Sequence, residues 1–253
     1  MMNIIRADIY RITLNMGIIA TFIGAAFSAV IMIVLLHVLG DEEFILTGAN
    51  SALPLFQISD FAILFVLPIF TIVAAPIFRD GTAKNEVAWG ISRLTLYLTR
   101  LLIITVVVVL LRIVLFVFAM LTGTIINGFG DVAPGFWLEF SQIFGMQLLL
   151  FIAASWLGVF IVFTIQNAYA VIEMWAGLLF LPFMITGMLE QLDIAPGFVY
   201  FVRSIDLLQA INALADFSEL GANDILRILA IAAFWLIIPT AAGVKMFQVK
   251  AIK

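Results

Sequence analysis

The chain has 253 residues, of which 65% are apolar and 11% are charged, with a formal net charge of −4. Its mean hydropathy of +1.24 excludes an ordinary water-soluble domain, since such domains have a balanced composition. The chain contains no Cys, which excludes disulfide bonds, thiolate metal sites and cysteine nucleophiles.

The first predicted element is an amphipathic helix over residues 1–15. Met2, Ile5, Ile9 and Ile12 recur at helical spacing, whereas Arg6 and Arg11 fall on other faces. This pattern is typical of a helix that lies on the inner membrane surface. The alternative interpretation is a simple basic anchor that orients the following helix. We expect no cleavable signal peptide, because the first apolar run, which charged residues precede, is longer than the apolar segment of a signal peptide.

Six apolar stretches follow, each close to the roughly 20 residues that a helix needs to cross a hydrocarbon core about 30 Å thick. The runs are continuous and do not alternate at period two, so they predict α-helices and not barrel strands. The sequence therefore predicts an all-α integral membrane protein with a single transmembrane domain. The six predicted transmembrane helices are residues 16–39, 59–78, 98–121, 141–163, 171–189 and 225–245.

The basic residues predict the orientation of these helices. With both termini in the cytoplasm, nine of the twelve Lys and Arg residues fall on the inner side, as the positive-inside rule requires. Only Arg203 and Arg227 fall on the outer side. The nine inner residues are Arg6, Arg11, Arg79, Lys84, Arg93, Arg100, Lys245, Lys250 and Lys253.

Two segments between the spans have a distinctive pattern. Residues 79–97 form the longest predicted cytoplasmic segment, and Val87, Ile91, Leu94 and Leu98 make an apolar stripe that favours a short interfacial helix. Residues 190–224 form a long extracellular region with an apolar middle. Two interpretations of this region stay open, a re-entrant hairpin and an ordinary interfacial loop.

No group of residues predicts catalysis. The phosphate-binding sequence GxxxxGK[ST] is absent, and the single histidine, His37, is interpreted as a hydrogen-bonding residue near the outer end of the first span. Glu173 is interpreted as reaching the cytoplasmic interface from the inner end of the fifth span. We expect no metal and no cofactor on this chain.

Arg112 stands in the middle of the third span, where insertion of an arginine costs roughly 2.5 to 3.5 kcal/mol. Its charge therefore needs compensation by an acid, a carbonyl or a partner subunit. Two interpretations stay open. Arg112 faces a substrate path or subunit interface, or it makes a structural contact between helices.

Three short motifs carry a resemblance to a known family. They are Arg6-Ala7-Asp8-Ile9-Tyr10-Arg11 at the start, Asp80 to Asn85 with Gly90 to Arg93 and Tyr97 to Arg100 in the middle, and Gly243, Phe247 and Ile252-Lys253 at the end. Together they resemble the permeases of type-2, exporter-type ATP-binding cassette (ABC) transporters. The closest subgroup is the bacteriocin, lantibiotic and bacitracin immunity permeases of Gram-positive bacteria. The specific motif covers only residues 79–100, and it departs from the usual pattern at Ala83, Glu86 and Arg100.

This resemblance implies a permease subunit in a bacterial plasma membrane that exports an amphipathic substrate, such as an antimicrobial peptide or lantibiotic. It implies a second copy or sister permease as partner, together with separate ATPase subunits that bind ATP and Mg²⁺. We expect no nucleic acid partner. The residues that the resemblance assigns to coupling with the ATPase are Lys84, Asn85, Gly90, Ser92 and Arg93, with Arg6 and Arg11 of the N-terminal helix.

Two other classes of function stay open at this point. A secondary transporter or channel that works without ATP requires intramembrane polar groups, and Arg112 and Asp60 are among the few that the spans contain. A membrane scaffold that senses a peptide and transports nothing fits the same topology.

Overall fold

The described part of the protein is mainly helical. A computed structural model describes residues 2–39, 46–57, 59–132, 134–192 and 196–249 and contains no strand in these ranges. Five helices are long and apolar enough to cross a membrane. They are α2 (Met16–Leu39), α8 (Arg93–Asn127), α9 (Phe136–Ile165), α10 (Ala168–Gln191) and α13 (Ala222–Val249).

Shorter helices connect these five. They are α1 (Met2–Thr13), α3 (Leu53–Gln57), α4 (Ser59–Ala62), α5 (Val66–Val73), α6 (Pro76–Arg79), α7 (Thr82–Ala88), α11 (Pro196–Arg203) and α12 (Leu207–Ala213), with 3₁₀ turns at Asn50–Ala52, Ile63–Phe65 and Leu214–Glu219. Lys250, Ile252 and Lys253, which the sequence analysis used, lie outside the described residues.

The predicted second span differs from the other five because it is not one regular helix. Residues 59–79 are divided into α4, a 3₁₀ turn, α5 and α6, and the chain then bends by 60° into α7. Pro68 and Pro76 explain the divisions, since neither has an amide hydrogen to donate to the carbonyl four residues earlier. The 3₁₀ turn lies just before Pro68, and α5 ends at Val73 just before Pro76. If the bent pair is one span, the chain has six.

Several helices extend beyond the apolar stretches that predicted them. Helix α8 runs from Arg93 to Asn127, whereas the apolar stretch covers residues 98–121. The extension at its start has a local cause, because Ser92 Oγ accepts a hydrogen bond from the amide of Thr95 at 3.1 Å and caps the helix. Hydrogen bonding at the termini, and not hydropathy, sets where such a helix begins.

Helix α9 lies at the centre of the bundle and packs against α5, α8, α10 and α13. Within the apolar window of α9, 67% of the residues are buried, against 22% for α10 and α13. The approach of α5 to α9 depends on Gly158, where an added Cβ would lie 2.5 Å from the Phe70 ring. Helices α10 and α13 therefore leave most of their apolar surface outside the bundle.

The helices define two ends of the molecule. We call the end where α2 and α8 begin and α13 ends the basic end, because Arg6, Arg11, Lys84, Arg93 and Lys245 lie there. The other is the opposite end. There Asn127 Nδ2 donates to the Leu46 carbonyl at 3.0 Å and lies 3.4 Å from His37 Nδ1.

The region 190–224 lies at the opposite end, and part of it is inside the protein. Asp206 caps α12 by accepting hydrogen bonds from the amides of Leu208 and Gln209 at 3.0 and 3.2 Å, and burial raises the pKa of its carboxyl group. Trp235 Nε1 of α13 donates to the Ile205 carbonyl at 2.7 Å. Helix α12 is largely buried, with Leu207, Leu208, Ala210 and Ile211 turned into the protein. Residues 193–195 lie outside the described part.

Candidate functional site

The candidate site is at the basic end, where α1, α7 and the first turns of α8 meet. Asp8 of α1 and Arg100 of α8 form an ion pair, and both side chains are almost fully buried. Glu86 Oε1 of α7 lies 3.5 Å from Arg100 Nη2. One arginine therefore joins three helices, and we call Asp8, Glu86 and Arg100 the charge triad.

Burial of the charge triad costs solvation free energy, and only a particular arrangement of its three side chains compensates for that cost. Charges removed from water lose several kcal/mol of solvation each, and only a well-placed partner compensates for that loss. Helix α7 lies beyond the 60° bend and beyond the predicted second span, residues 59–78. There burial raises the pKa of Glu86, while the nearby Arg100 opposes the shift. The free energy of this contact thus depends on α1, α7 and α8 keeping their relative positions.

Arg93 joins a fourth helix to the same end. Its Nη1 donates to the carbonyls of Phe247 and Gln248 at 2.9 and 3.0 Å, close to where α13 ends. The guanidinium carbon also lies 5.8 Å from the centre of the Phe247 ring. A cation at the C-terminus of a helix satisfies its unpaired carbonyls and interacts favourably with its dipole. Arg93 therefore fixes the end of α13 against the start of α8.

These contacts bring together motifs that lie far apart in the sequence. Asp8 of the opening motif contacts Arg100 of the middle motif, and Phe247 of the closing motif contacts Arg93. Gly243 of the closing motif lies directly against the hydroxyl of Tyr97, so that the two helices approach closely there. The described residues of the opening, middle and closing motifs thus form one contiguous part of the basic end.

Helix α7 presents two different faces. Ala83 is fully buried and Glu86 and Val87 are half-buried, whereas Lys84, Asn85 and Ala88 are exposed. Trp89, the residue after α7, has 89% of its surface exposed. We call Lys84, Asn85, Ala88 and Trp89 the outer face of α7. Fully exposed tryptophans are uncommon on isolated proteins and are enriched in interfaces.

The turn between α7 and α8 differs from the sequence prediction. The predicted stripe from Val87 to Leu98 requires one continuous helix, but α7 ends at Ala88 and α8 begins at Arg93. Gly90 adopts a φ of +85°, a conformation that L-residues with a side chain rarely adopt, and Ser92 then starts the new helix. Of the predicted coupling residues, Gly90 and Ser92 therefore shape the turn, while Lys84 and Asn85 lie on the outer face.

The predicted coupling residues of the N-terminal helix lie on the surface. Arg6 and Arg11 are exposed, as is Tyr10 between them. Sequence reasoning identified these two arginines but did not identify Asp8, Glu86 or Trp89 as residues of the site. Asp8 and Arg100 form an ion pair although some ninety residues separate them in the chain, and such a long-range contact leaves no local signal in the sequence.

Arg112 lies elsewhere, in the buried centre of the bundle. Its Nη2 donates to Gln147 Oε1 at 2.6 Å, and its guanidinium carbon lies 4.2 and 4.9 Å from the ring centres of Phe151 and Phe116. Within the described residues, no carboxylate lies within ion-pair distance of it. The compensation is an amide oxygen and two aromatic faces of its own chain.

Gln147 extends this contact to two further segments. Its Nε2 donates to the Phe56 carbonyl at 3.1 Å, and its Oε1 also accepts from Ser59 Oγ at 2.9 Å. Sequence reasoning missed both Gln147 and Ser59, because uncharged polar residues change the hydropathy of a span only slightly. An amide side chain within an apolar span was the available signal, since polar groups at that depth require partners.

The fold is that of a multi-pass helical membrane protein, with five apolar helices long enough to cross a bilayer and a polar, basic end. Comparisons with protein-family models, with curated proteins and with solved structures found no match to this chain.

Proposed function

We propose that this chain is the permease subunit of an ABC exporter of the type-2 kind. It moves an amphipathic substrate, such as an antimicrobial peptide or lantibiotic, out of a bacterial plasma membrane or cell. ATP and Mg²⁺ bind to a separate ATPase subunit. Both termini and the basic end face the cytoplasm, in accordance with the distribution of Lys and Arg.

One observation carries this proposal, the connection of the exposed outer face of α7 to three other helices. A force on α7 reaches α8 and α1 through the charge triad, and it reaches α13 because Arg93 fixes that helix to α8. A surface that only interacted with lipid would not need these buried charges. The arrangement suits a helix that receives a push from a partner.

Helix α8 provides the path from the basic end into the bundle. It has 35 residues, so at a rise of 1.5 Å per residue it is about 52 Å long. Arg100 lies two turns from its start, Arg112 near its middle and Asn127 at its end. A tilt of α8 at the basic end therefore also displaces the contacts of Arg112 with α9 and of Asn127 with the opposite end.

A second permease, identical or related, completes the proposed transporter. The apolar helices α10 and α13 have only 22% of their windows buried in this chain, so their remaining surface faces lipid or another subunit. Export follows when closure of the ATPase dimer pushes on both α7 helices and tilts the two halves apart on the outer side.

The test is copurification in mild detergent with an ABC ATPase encoded by a neighbouring reading frame. The wild-type chain should retain the ATPase and stimulate its hydrolysis of ATP. Lys84→Glu should abolish both effects, since it reverses a charge on the outer face of α7 without touching a buried contact. Arg93→Glu is a poorer variant, because Arg93 also holds the end of α13.

Lys245→Glu is the matched control, since Lys245 is also exposed at the basic end but lies on α13. It should leave the ATPase bound. Equal loss of binding in both variants would show a general charge effect and contradict docking at α7. An ATPase that never copurifies would favour a transporter without ATP or a sensing scaffold.

A further inference from the structure

A concave surface runs along α10, away from the charge triad. A groove of about 740 Å³ runs between α10 and α11, within the range of ordinary small-molecule sites. We call it the α10 groove. Its walls are almost entirely apolar and include Met174, Leu178, Leu181, Ile185, Phe198 and Val202.

Among the described lining residues, one is charged. Glu173 lies near the basic end of α10, is exposed, and forms no ion pair with any basic side chain of the described residues. Among the described residues that line the groove, none is Lys or Arg. A phosphate group therefore finds no partner in the groove, whereas a cation finds the carboxylate of Glu173.

The dimensions fit a molecule with a charged head and a long apolar chain. Glu173 and Ile185 are twelve positions apart on α10, which corresponds to about 18 Å along the helix axis. Pro182 lines the groove between them and has no amide hydrogen to donate to the carbonyl of Leu178. The groove thus has an acid at one end and a long apolar floor.

We propose that the α10 groove binds cationic amphiphiles, with the positive head at Glu173 and the apolar chain along α10 toward Ile185. This inference rests on the proposed function and deepens it, because it gives the exporter's amphipathic substrate a binding site, the α10 groove, and a positive charge. The head lies at the level of the basic end, so the groove takes its ligand from the leaflet on that side. The carboxylate distinguishes this ligand from the phosphate-bearing lipids of the bilayer.

The test measures binding alone, without an ATPase. The full chain is placed in phosphatidylcholine nanodiscs and exposed to dodecyltrimethylammonium that carries a photoactivatable diazirine in its chain. Labelled peptides are then mapped by mass spectrometry. We expect the cationic probe to label residues within 174–185. Probes with the same alkyl chain but a hydroxyl or a sulfate head group should label these residues much more weakly.

Two variants distinguish the contribution of the probe's head group from that of its alkyl chain. Glu173→Gln should lower labelling by the cationic probe roughly twofold to fivefold, the range expected for one exposed ion pair. Leu178→Trp should fill the groove and lower labelling by all three probes. Glu139→Gln is the matched control, since Glu139 is an exposed acid on α9 at the opposite end, and it should have no effect.

Three results would overturn the proposal. The first is equal labelling by the cationic and neutral probes, which would make the groove an ordinary lipid surface. The second is labelling that Glu173→Gln leaves unchanged. The third is efficient disulfide crosslinking of two chains through Leu178→Cys, which would make the groove an interface between copies; the chain has no other Cys to confuse that result.

The outcome is independent of the test of the permease function. Loss of ATPase binding with intact labelling would contradict the exporter but leave the ligand site in place. Loss of labelling with an intact ATPase complex would contradict the site but leave the exporter in place.

Discussion

Gln147 Oε1 accepts a 2.6 Å hydrogen bond from Nη2 of Arg112, and no carboxylate of the described residues lies near enough to form an ion pair with that guanidinium. A fully buried positive charge thus depends on a neutral amide and on the faces of Phe116 and Phe151. This relationship makes Gln147 a residue of unusual importance for stability.

We predict that Gln147→Leu destabilises the chain by about 3 kcal/mol, because it leaves a buried charged donor without an acceptor. Thermal unfolding of the purified protein in detergent measures the effect. The double variant Arg112→Met with Gln147→Leu should recover most of the loss, since it removes the charge as well. A single variant as stable as the wild type would contradict the assigned contact.

The charge triad predicts strong coupling between Asp8 and Arg100. Asp8→Asn and Arg100→Met should each destabilise the protein by about 3 to 5 kcal/mol, because each leaves its partner charged and buried. The double variant should cost much less than the sum of the two, and a double-mutant cycle measures the difference. Strict additivity would mean that the two residues do not interact.

The raised pKa of Glu86 predicts a dependence of stability on pH. Since the folded state holds this proton more tightly than the unfolded state, the contribution of Glu86 to stability falls as pH rises above 4.5, the ordinary pKa of its carboxyl group. The unfolding temperature, compared with that of Glu86→Gln at each pH, should therefore be relatively higher near pH 4.5 than at pH 7. A difference between the two proteins that stays constant with pH would refute the shift.

Trp89 predicts an effect on association without an effect on folding. Its side chain is 89% exposed, so Trp89→Ala should change the free energy of unfolding by less than about 0.5 kcal/mol. If α7 docks on an ATPase, the same variant should weaken that complex by about 2 kcal/mol, as large aromatic residues at interfaces do. Titration of the ATPase against detergent-solubilised chain measures the loss, and an unchanged affinity would exclude Trp89 from the interface.

The close approach of α5 to α9 predicts opposite results for two glycines of α9. Gly158→Ala places a methyl group 2.5 Å from the Phe70 ring and should destabilise the protein by about 1 to 3 kcal/mol. Gly145→Ala is the control, because an added Cβ there has no atom within 4 Å; it should be neutral or slightly stabilising. Thermal unfolding of both variants in one detergent decides the comparison.

Sequence and structure agree on some local features of this end and differ on others. Lys84 and Asn85 were assigned to coupling from a local motif; the structure places both on an exposed helical face, and their role in coupling stays a prediction. The continuous stripe from Val87 to Leu98 was a weaker guide, because Gly90 ends one helix and Ser92 caps the next. Pro68 and Pro76 are the physical cause of the break in the second span, whereas hydropathy alone predicted an uninterrupted stretch.

The sequence by itself determined that this protein has helices suited to a membrane. Hydropathy is a sum over neighbouring residues, so runs of about twenty apolar residues specify membrane-spanning helices without reference to the rest of the chain. Only the tertiary structure decided which polar groups meet inside the bundle. Asp8, Glu86 and Arg100 lie on three helices, as do Ser59, Arg112 and Gln147, and their contacts depend on how those helices pack.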